Sequence, residues 1–264
     1  MEAQFEKSTF AKRLKTMLKV DFKRMFTMPL VYIMVGVSLA MPILILVMTT
    51  MMGGEADRAT GAEAMAGFTN VWQIIGAVSG GDSAMGMDLT SMCNINMLYF
   101  LVAVFVCIFV AEDFKSGYVK NLFAVRSKKV DYVLSKTLVT FVGAVIMFAA
   151  FFIGGMIGGA IAGLPFDVAG FGAGGIAACM LSKIFIAAIF VSVALLLGAV
   201  AKQRLWLSVI CSIGAGMLLF TMIPMIAPLN AGFVNVIMCI AGGGLFAVGL
   251  GAVSNVILNK TSLV

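Results

Sequence analysis

Residues able to do chemistry are concentrated in one stretch of this sequence, Ala111–Lys136, AEDFKSGYVKNLFAVRSKKVDYVLSK. In it Lys115, Lys120, Arg126, Lys128, Lys129 and Lys136 are basic, and Glu112, Asp113 and Asp131 are acidic. These types suit docking by charge and hydrogen bonding rather than bond-making. The chain has no histidine, which removes His-dependent triads, His-ligated zinc and the His-containing metalloprotease motifs. No G-x-x-x-x-G-K-[ST] run is present, and the glycine clusters lie in apolar stretches without a following lysine. Cys93, Cys107, Cys179, Cys211 and Cys239 are scattered without paired spacing and read as small buried residues, not as a disulfide framework or metal site. The chain is therefore expected to be no enzyme and to hold no cofactor or metal of its own. The stretch reads either as a handle by which a soluble partner moves the rest of the chain, or as a plain connecting loop.

The elements that position this stretch are apolar. Of 264 residues, 62% are hydrophobic and 11% charged, against roughly 25% charged in soluble domains. Apolar runs of about 20 residues are long enough for membrane helices and too long for transmembrane strands. The expected fold is an all-α integral membrane protein. Its spans fall at about 30–52, 94–111, 137–163, 184–201, 205–226 and 233–258, all within residues 29–264. Residues 1–28 form a separate polar and basic segment, with no cleavable signal peptide expected. From Phe10 onward, apolar Phe10, Leu14, Met17 and Phe22 recur at helical spacing, with Lys12, Lys15, Lys19 and Lys23 on the other side. This predicts an amphipathic helix lying along a membrane interface. Pro29 marks a break before the first span, and Pro42 predicts a kink within it.

Charge gives the layout a direction. The segment before span one carries seven basic residues, the 112–136 connection six, the turn at Lys202 and Arg204 two, and the tail one, Lys260. The opposite side carries only Arg58, with Lys183 at its boundary, while the loop after span one holds Glu55, Asp57, Glu63, Asp82 and Asp88. Basic loops face the cytoplasm, so a multi-pass plasma-membrane protein with both termini inside is expected. The apolar run Phe68–Val78, with Trp72, suggests an interfacial helix or an outer gate element on the far side. The net charge of +6 attracts anionic membrane lipids and does not require nucleic acid.

Within the spans, Gly154, Gly155, Gly158 and Gly159 form a small-residue stripe that would let helices approach closely. Lys183 is expected to snorkel from the outer boundary of span four, with residues 164–182 as an outer loop. No acidic residue falls in the six assigned spans, which argues against a proton- or sodium-coupled transporter with an intramembrane carboxylate.

The run Glu112-Asp113-Phe114-x-x-Gly117-Tyr118-x-Lys120-Asn121-Leu122, then Val125-Arg126-Ser127-Lys128 and Tyr132-x-Leu134-x-Lys136, resembles the loop between the second and third spans of type-2 ABC permeases. The six-span layout, the basic N-terminal helix and the lack of an ATPase motif resemble that family as well. The resemblance implies a cytoplasmic coupling helix between spans two and three, with Glu112, Gly117, Tyr118, Lys120, Asn121, Leu122, Phe123 and Arg126 meeting a separate ABC ATPase subunit. Tyr118, Leu122 and Phe123 would be its apolar contacts. It further implies an exporter of an amphipathic or hydrophobic substrate (a peptide, antimicrobial or drug), working with a second permease subunit as a homo- or heterodimer, with ATP and Mg bound by the partner ATPase. Between spans five and six the sequence departs from the family pattern, since Pro224–Gly232 leaves little room for short re-entrant helices. The rival reading is a non-transporting membrane scaffold or sensor that docks a cytosolic partner.

Overall fold

The computed structural model describes residues 9–59, 68–76, 93–125, 129–168, 172–202, 204–220 and 223–260, and every regular element among them is helical. The helices are α1 (Phe10–Thr27), α2 (Pro29–Ala59), α3 (Leu98–Lys115), α4 (Tyr118–Val125), α5 (Val130–Ala162), α6 (Gly172–Ala201), α7 (Leu205–Phe220), α8 (Ile223–Ile226) and α9 (Phe233–Lys260). Short 3₁₀ helices at Val71–Ile74 and Ile95–Met97 precede α3. Arg126 and Lys128, and the acidic residues Glu63, Asp82 and Asp88, lie outside the described residues.

Five segments among the described residues are long and apolar enough to cross a membrane: Pro29–Met51, Ile95–Lys115, Val130–Ala162, Gly172–Ala201 and Phe233–Lys260. The chain is thus an all-helical protein of membrane type. Its core lies where α3, α5 and α6 meet, and includes the fully buried Tyr99, Phe105, Phe109, Phe148 and Phe151. Tyr99 stacks on Phe190 at 4.5 Å between ring centres and meets Phe148 at 5.5 Å. α2 packs along α5, α9 along α6, and α7 against α3 and α6. The outer faces of α2, α7 and α9 stay apolar and exposed, as Met51, Leu218, Phe233 and Val248 show at 71%, 78%, 77% and 75%. Such surface requires lipid rather than water around it.

Several element bounds differ from the sequence expectation. Residues 112–136 are not one loop: α3 continues through Glu112 and Asp113 to Lys115, and α5 begins at Val130. A helix needs no apolar residues at its ends if its buried charged ones find partners, and Asp113 and Asp131 do. Residues 164–182 are not a long loop either, because α6 already starts at Gly172. Its glycines at 172, 174 and 175 weaken helix propensity, but packing of the rest of α6 against α9 and α3 outweighs that. Of the expected fifth span 205–226, the described residues form α7 and the four-residue α8, and residues 221–222 lie outside the described ones. In the run Phe68–Val78 the described residues 68–76 hold the 3₁₀ helix Val71–Ile74, which Asn70 and Gln73 close with a capping box.

Breaks and close approaches follow from local chemistry. Met28 is extended between α1 and α2, and Pro29 opens α2, where its missing N–H costs nothing. Gly163 ends α5 in the left-handed region at φ 70°. The stripe on α5 is filled from within the chain. Gly154 lies against the Leu39 carbonyl, and a Cβ at Gly158 would stand 2.7 Å from Ile43 Cα. Gly155 and Gly159 face Ile74 and Val71 of the 3₁₀ helix. On α9, Gly243 comes against the Phe185 carbonyl of α6, whereas Gly242, Gly244 and Gly249 face open space.

Candidate functional site: a buried charge node under the short helix α4

The charged residues expected in a loop are gathered into a closed cluster at the basic end of the bundle. Asp21 on α1, Asp113 on α3 and Lys136 on α5 are each completely buried. Lys136 Nζ stands 2.9 Å from Asp21 Oδ1 and 2.7 Å from Asp113 Oδ2. Arg24 reaches the other Asp113 oxygen at 2.6 Å. These are contacts of charge more than aligned hydrogen bonds, as none of the four atoms Asp21 Oδ1, Arg24 Nη1, Asp113 Oδ1 and Lys136 Nζ has a hydrogen-bond partner of good geometry. Aligned bonds come from neutral groups: the Ser135 hydroxyl donates to Asp21 Oδ2 at 2.6 Å and the Tyr132 hydroxyl to Asp113 Oδ2 at 3.0 Å. Two carboxylates face two cations, so the cluster is electrically balanced. One step outward, Arg13 pairs with Asp131 at 2.9 Å.

Helical spacing explains how the parts meet. Met17, Asp21 and Met25 lie four residues apart on one face of α1, the face that packs on α5. Tyr132, Ser135 and Lys136 occupy the first two turns of α5, and Asp113 the last turn of α3. The node therefore ties the N-terminal helix to both ends of the connection that carries α4.

α4 lies over the node. Gly117 takes the left-handed conformation, φ 72°, which turns the chain sharply between α3 and α4. Tyr118 is half-buried with the Arg24 guanidinium 4.1 Å from its ring centre, and Lys136 is 5.6 Å away on the inner side. Burial, then the charges of Asp21 and Asp113, push the Tyr118 hydroxyl up to about 12, with Arg24 opposing; it stays neutral at physiological pH. Phe123 meets Tyr132 edge-on at 5.6 Å, and Lys129 covers its ring at 5.2 Å. Leu122 also packs against the core. Tyr118, Leu122 and Phe123 were expected to face a partner; they are partly spent on the chain's own helices, because a short helix over a buried polar cluster must cover it. The exposed face of α4 consists of Lys120, Asn121 and Ala124, with Glu112 exposed beside it on α3.

The remaining site residues separate from this cluster. On α1, Phe10 is exposed, Leu14 and Phe22 are half-buried and Met17 is buried against α5. Part of the apolar stripe thus meets protein instead of lipid. Gly154, Gly155, Gly158 and Gly159 sit at the opposite end of α5. Sequence reasoning missed Asp21, Arg24 and Lys136 as one unit, although a signal existed: Asp21 is the one acidic residue of α1 and stands in register with Met17 and Met25 on its apolar side.

A second buried lysine corrects another expectation. Lys183 does not snorkel: it is fully buried, eleven residues into α6, roughly 16 Å at ~1.5 Å per residue. Its ammonium donates to Asn96 Oδ1 at 2.6 Å, and the Tyr99 hydroxyl donates to the Lys183 carbonyl at 3.0 Å. Snorkelling needs a free path to water, and here Asn96, Cys179 and Gly76 close it.

Among the described residues no three His, Cys, Asp or Glu side chains are grouped as a metal site would need. No protein-family model, no curated protein and no solved structure matches this chain.

Proposed function

We propose that this chain is the membrane permease subunit of an ABC exporter, driven by a separate ATPase subunit that binds ATP and Mg. The observation that carries the reading is α4. It is a short helix held between two long apolar ones, hinged at Gly117 and fixed through Arg24 and the Asp113–Lys136–Asp21 node to α1. A push on α4 would reach α1, α3 and α5 together, because their contact points are charged and buried and cannot slide without losing their partners. The motif resemblance over residues 112–136 supports the same role. Six crossings complete the proposal, with α7 and α8 together making the fifth: α7 alone is roughly 24 Å long, short of the ~30 Å hydrocarbon core. Both termini would then be cytoplasmic, in the plasma membrane, and two such subunits would work with two ATPases. The substrate would be amphipathic or hydrophobic, as the resemblance implies.

The exposed face of α4 supplies the test. Lys120→Glu with Asn121→Ala alters that face and leaves Phe123, Tyr118 and the node in place. Copurification of the ATPase encoded nearest this gene, and its stimulation in reconstituted membranes, should fall while membrane insertion and thermal stability stay normal. Unchanged association would leave α4 as a connector and favour the scaffold reading. Orientation is tested separately. In a background lacking the native cysteines, Thr69→Cys and Ser116→Cys, both at exposed positions, should label from opposite sides of intact cells, Ser116→Cys only after permeabilisation.

A further inference from the structure

α1 has two sides, and the bundle uses one. Met17, Asp21 and Met25 are buried on the side packed against α5. Half a turn round, residues 12, 15, 19, 23 and 26 recur at every third or fourth position, the spacing of a single helix stripe. Four of them are Lys12, Lys15, Lys19 and Lys23. All four are exposed, and among the described residues none of them pairs with a carboxylate. The one acidic residue of α1, Asp21, is buried on the other side. The fifth member of the stripe is Phe26, 44% exposed. Its carbonyl accepts from the Tyr32 hydroxyl at 2.8 Å, and Tyr32, in the first turn of α2, is itself 63% exposed. Only Met28 separates α1 from α2.

Exposed aromatic rings at the end of an apolar span mark the headgroup level of a bilayer. Phe26 and Tyr32 stand where the apolar segment Pro29–Met51 begins, and the lysines follow from Phe26 back toward the start of α1. The apolar side of α1 is taken by α5, so contact with the leaflet falls to the stripe. We propose that the stripe is a docking surface for the anionic lipid headgroups of the leaflet at the basic end of the bundle, with Lys19 and Lys23 nearest to it. Net charge makes the selection. A zwitterionic headgroup brings an ammonium with its phosphate and offers a row of lysines no net attraction. An anionic lipid keeps one negative charge that a lysine can neutralise. Basic clusters beside a membrane span are drawn to anionic leaflets for this reason. A soluble acidic partner would match the lysines but not the exposed rings at their end. The surface does not depend on the ATPase reading.

The test uses the full chain without its native cysteines, reconstituted in phosphatidylcholine vesicles. A fluorophore is attached at Val20→Cys, an exposed position beside the stripe, or at Phe233→Cys, exposed at the far end of α9. The vesicles hold a small fraction of phosphatidylglycerol or of phosphatidylcholine carrying the same nitroxide high on the acyl chain, and quenching measures the labelled lipid near each fluorophore. At Val20→Cys the phosphatidylglycerol label should be enriched about five-fold over the phosphatidylcholine label, which is what one lysine at an anionic surface contributes. The excess should collapse in about 1 M salt. Lys19→Gln with Lys23→Gln should remove most of it, and glutamine at all four lysines the rest. Thermal unfolding checks that each variant is folded, and the double variant decides if the fourfold one is not. At Phe233→Cys the two labels should quench equally. Equal quenching at Val20→Cys in the parent overturns the proposal and leaves the stripe to a soluble acidic partner. So does an excess that the lysine substitutions leave unchanged, or one that is as large at Phe233→Cys.

Discussion

Lys136 and Lys183 are both fully buried, and the chain accommodates them differently. Lys136 stands between two carboxylates, themselves held by Arg24, Tyr132 and Ser135. Lys183 meets one neutral amide, Asn96, and no carboxylate within ion-pairing distance among the described residues. Burying an ion costs several kcal/mol, which only close opposite charge and further hydrogen bonds offset. The first lysine fixes three helices at one point. The second fixes a single 3₁₀ turn. Among the described residues the buried ion pairs thus lie at the basic end, and the opposite end is joined by packing and by neutral hydrogen bonds, such as that from Trp72 Nε1 to the Phe166 carbonyl at 3.0 Å.

The comparison can be broken most forcefully at Lys136. Lys136→Met leaves two buried carboxylates with one cation, Arg24 on Asp113, and should destabilise the detergent-solubilised protein by about 3–5 kcal/mol. Adding Asp21→Asn restores neutrality and should recover much of that loss. A double variant no better than the single one would show that the node is not a charge-coupled unit.

Gly158→Leu asks whether packing at the far end of α5 carries comparable weight. Its side chain meets the Ile43 backbone, which cannot move aside as a side chain can, so a loss of about 1–3 kcal/mol is expected. A thermal midpoint equal to the parent's would remove the close approach of α2 and α5 from the account.

Lys183→Met should change stability by only about 1 kcal/mol, the cost of an unmet Asn96 acceptor set against relief from burying an ammonium. A loss as large as that of Lys136→Met would contradict the contrast between the two lysines. The smallest effect is expected from Gly76→Ala. A Cβ there would sit 3.4 Å from Lys183 Cε, an ordinary contact, and the unfolding midpoint should move by no more than an exposed surface substitution does, within about 0.5 kcal/mol.

Leu122→Ala with Phe123→Ala would have separated a coupling element from a plain loop had both side chains faced outward. Because Phe123 packs on Tyr132 directly above the node, its loss should disturb stability as well as docking. Charge reversal at Lys120 is the cleaner probe of the exposed face.

The amino-acid sequence by itself determined that the chain is helical and of membrane type, because runs of apolar residues near 20 long leave the backbone no other way to satisfy its hydrogen bonds in lipid. It also marked the break at Pro29 and the small residues of α5, since each depends on one residue's own sterics. Which charges are buried was decided only by tertiary structure. Asp21, Asp113 and Lys136 lie on three different helices, and apart from the place of Asp21 on the apolar side of α1 each alone reads as a residue for water. Only when α1, α3 and α5 converge do their charges neutralise one another, and that mutual compensation is what permits burial. For Lys183 the reason is the same in reverse. Its depth in α6 depends on how far the glycine-rich turns from Gly172 stay helical, and neighbouring helices, not local propensity, hold them so.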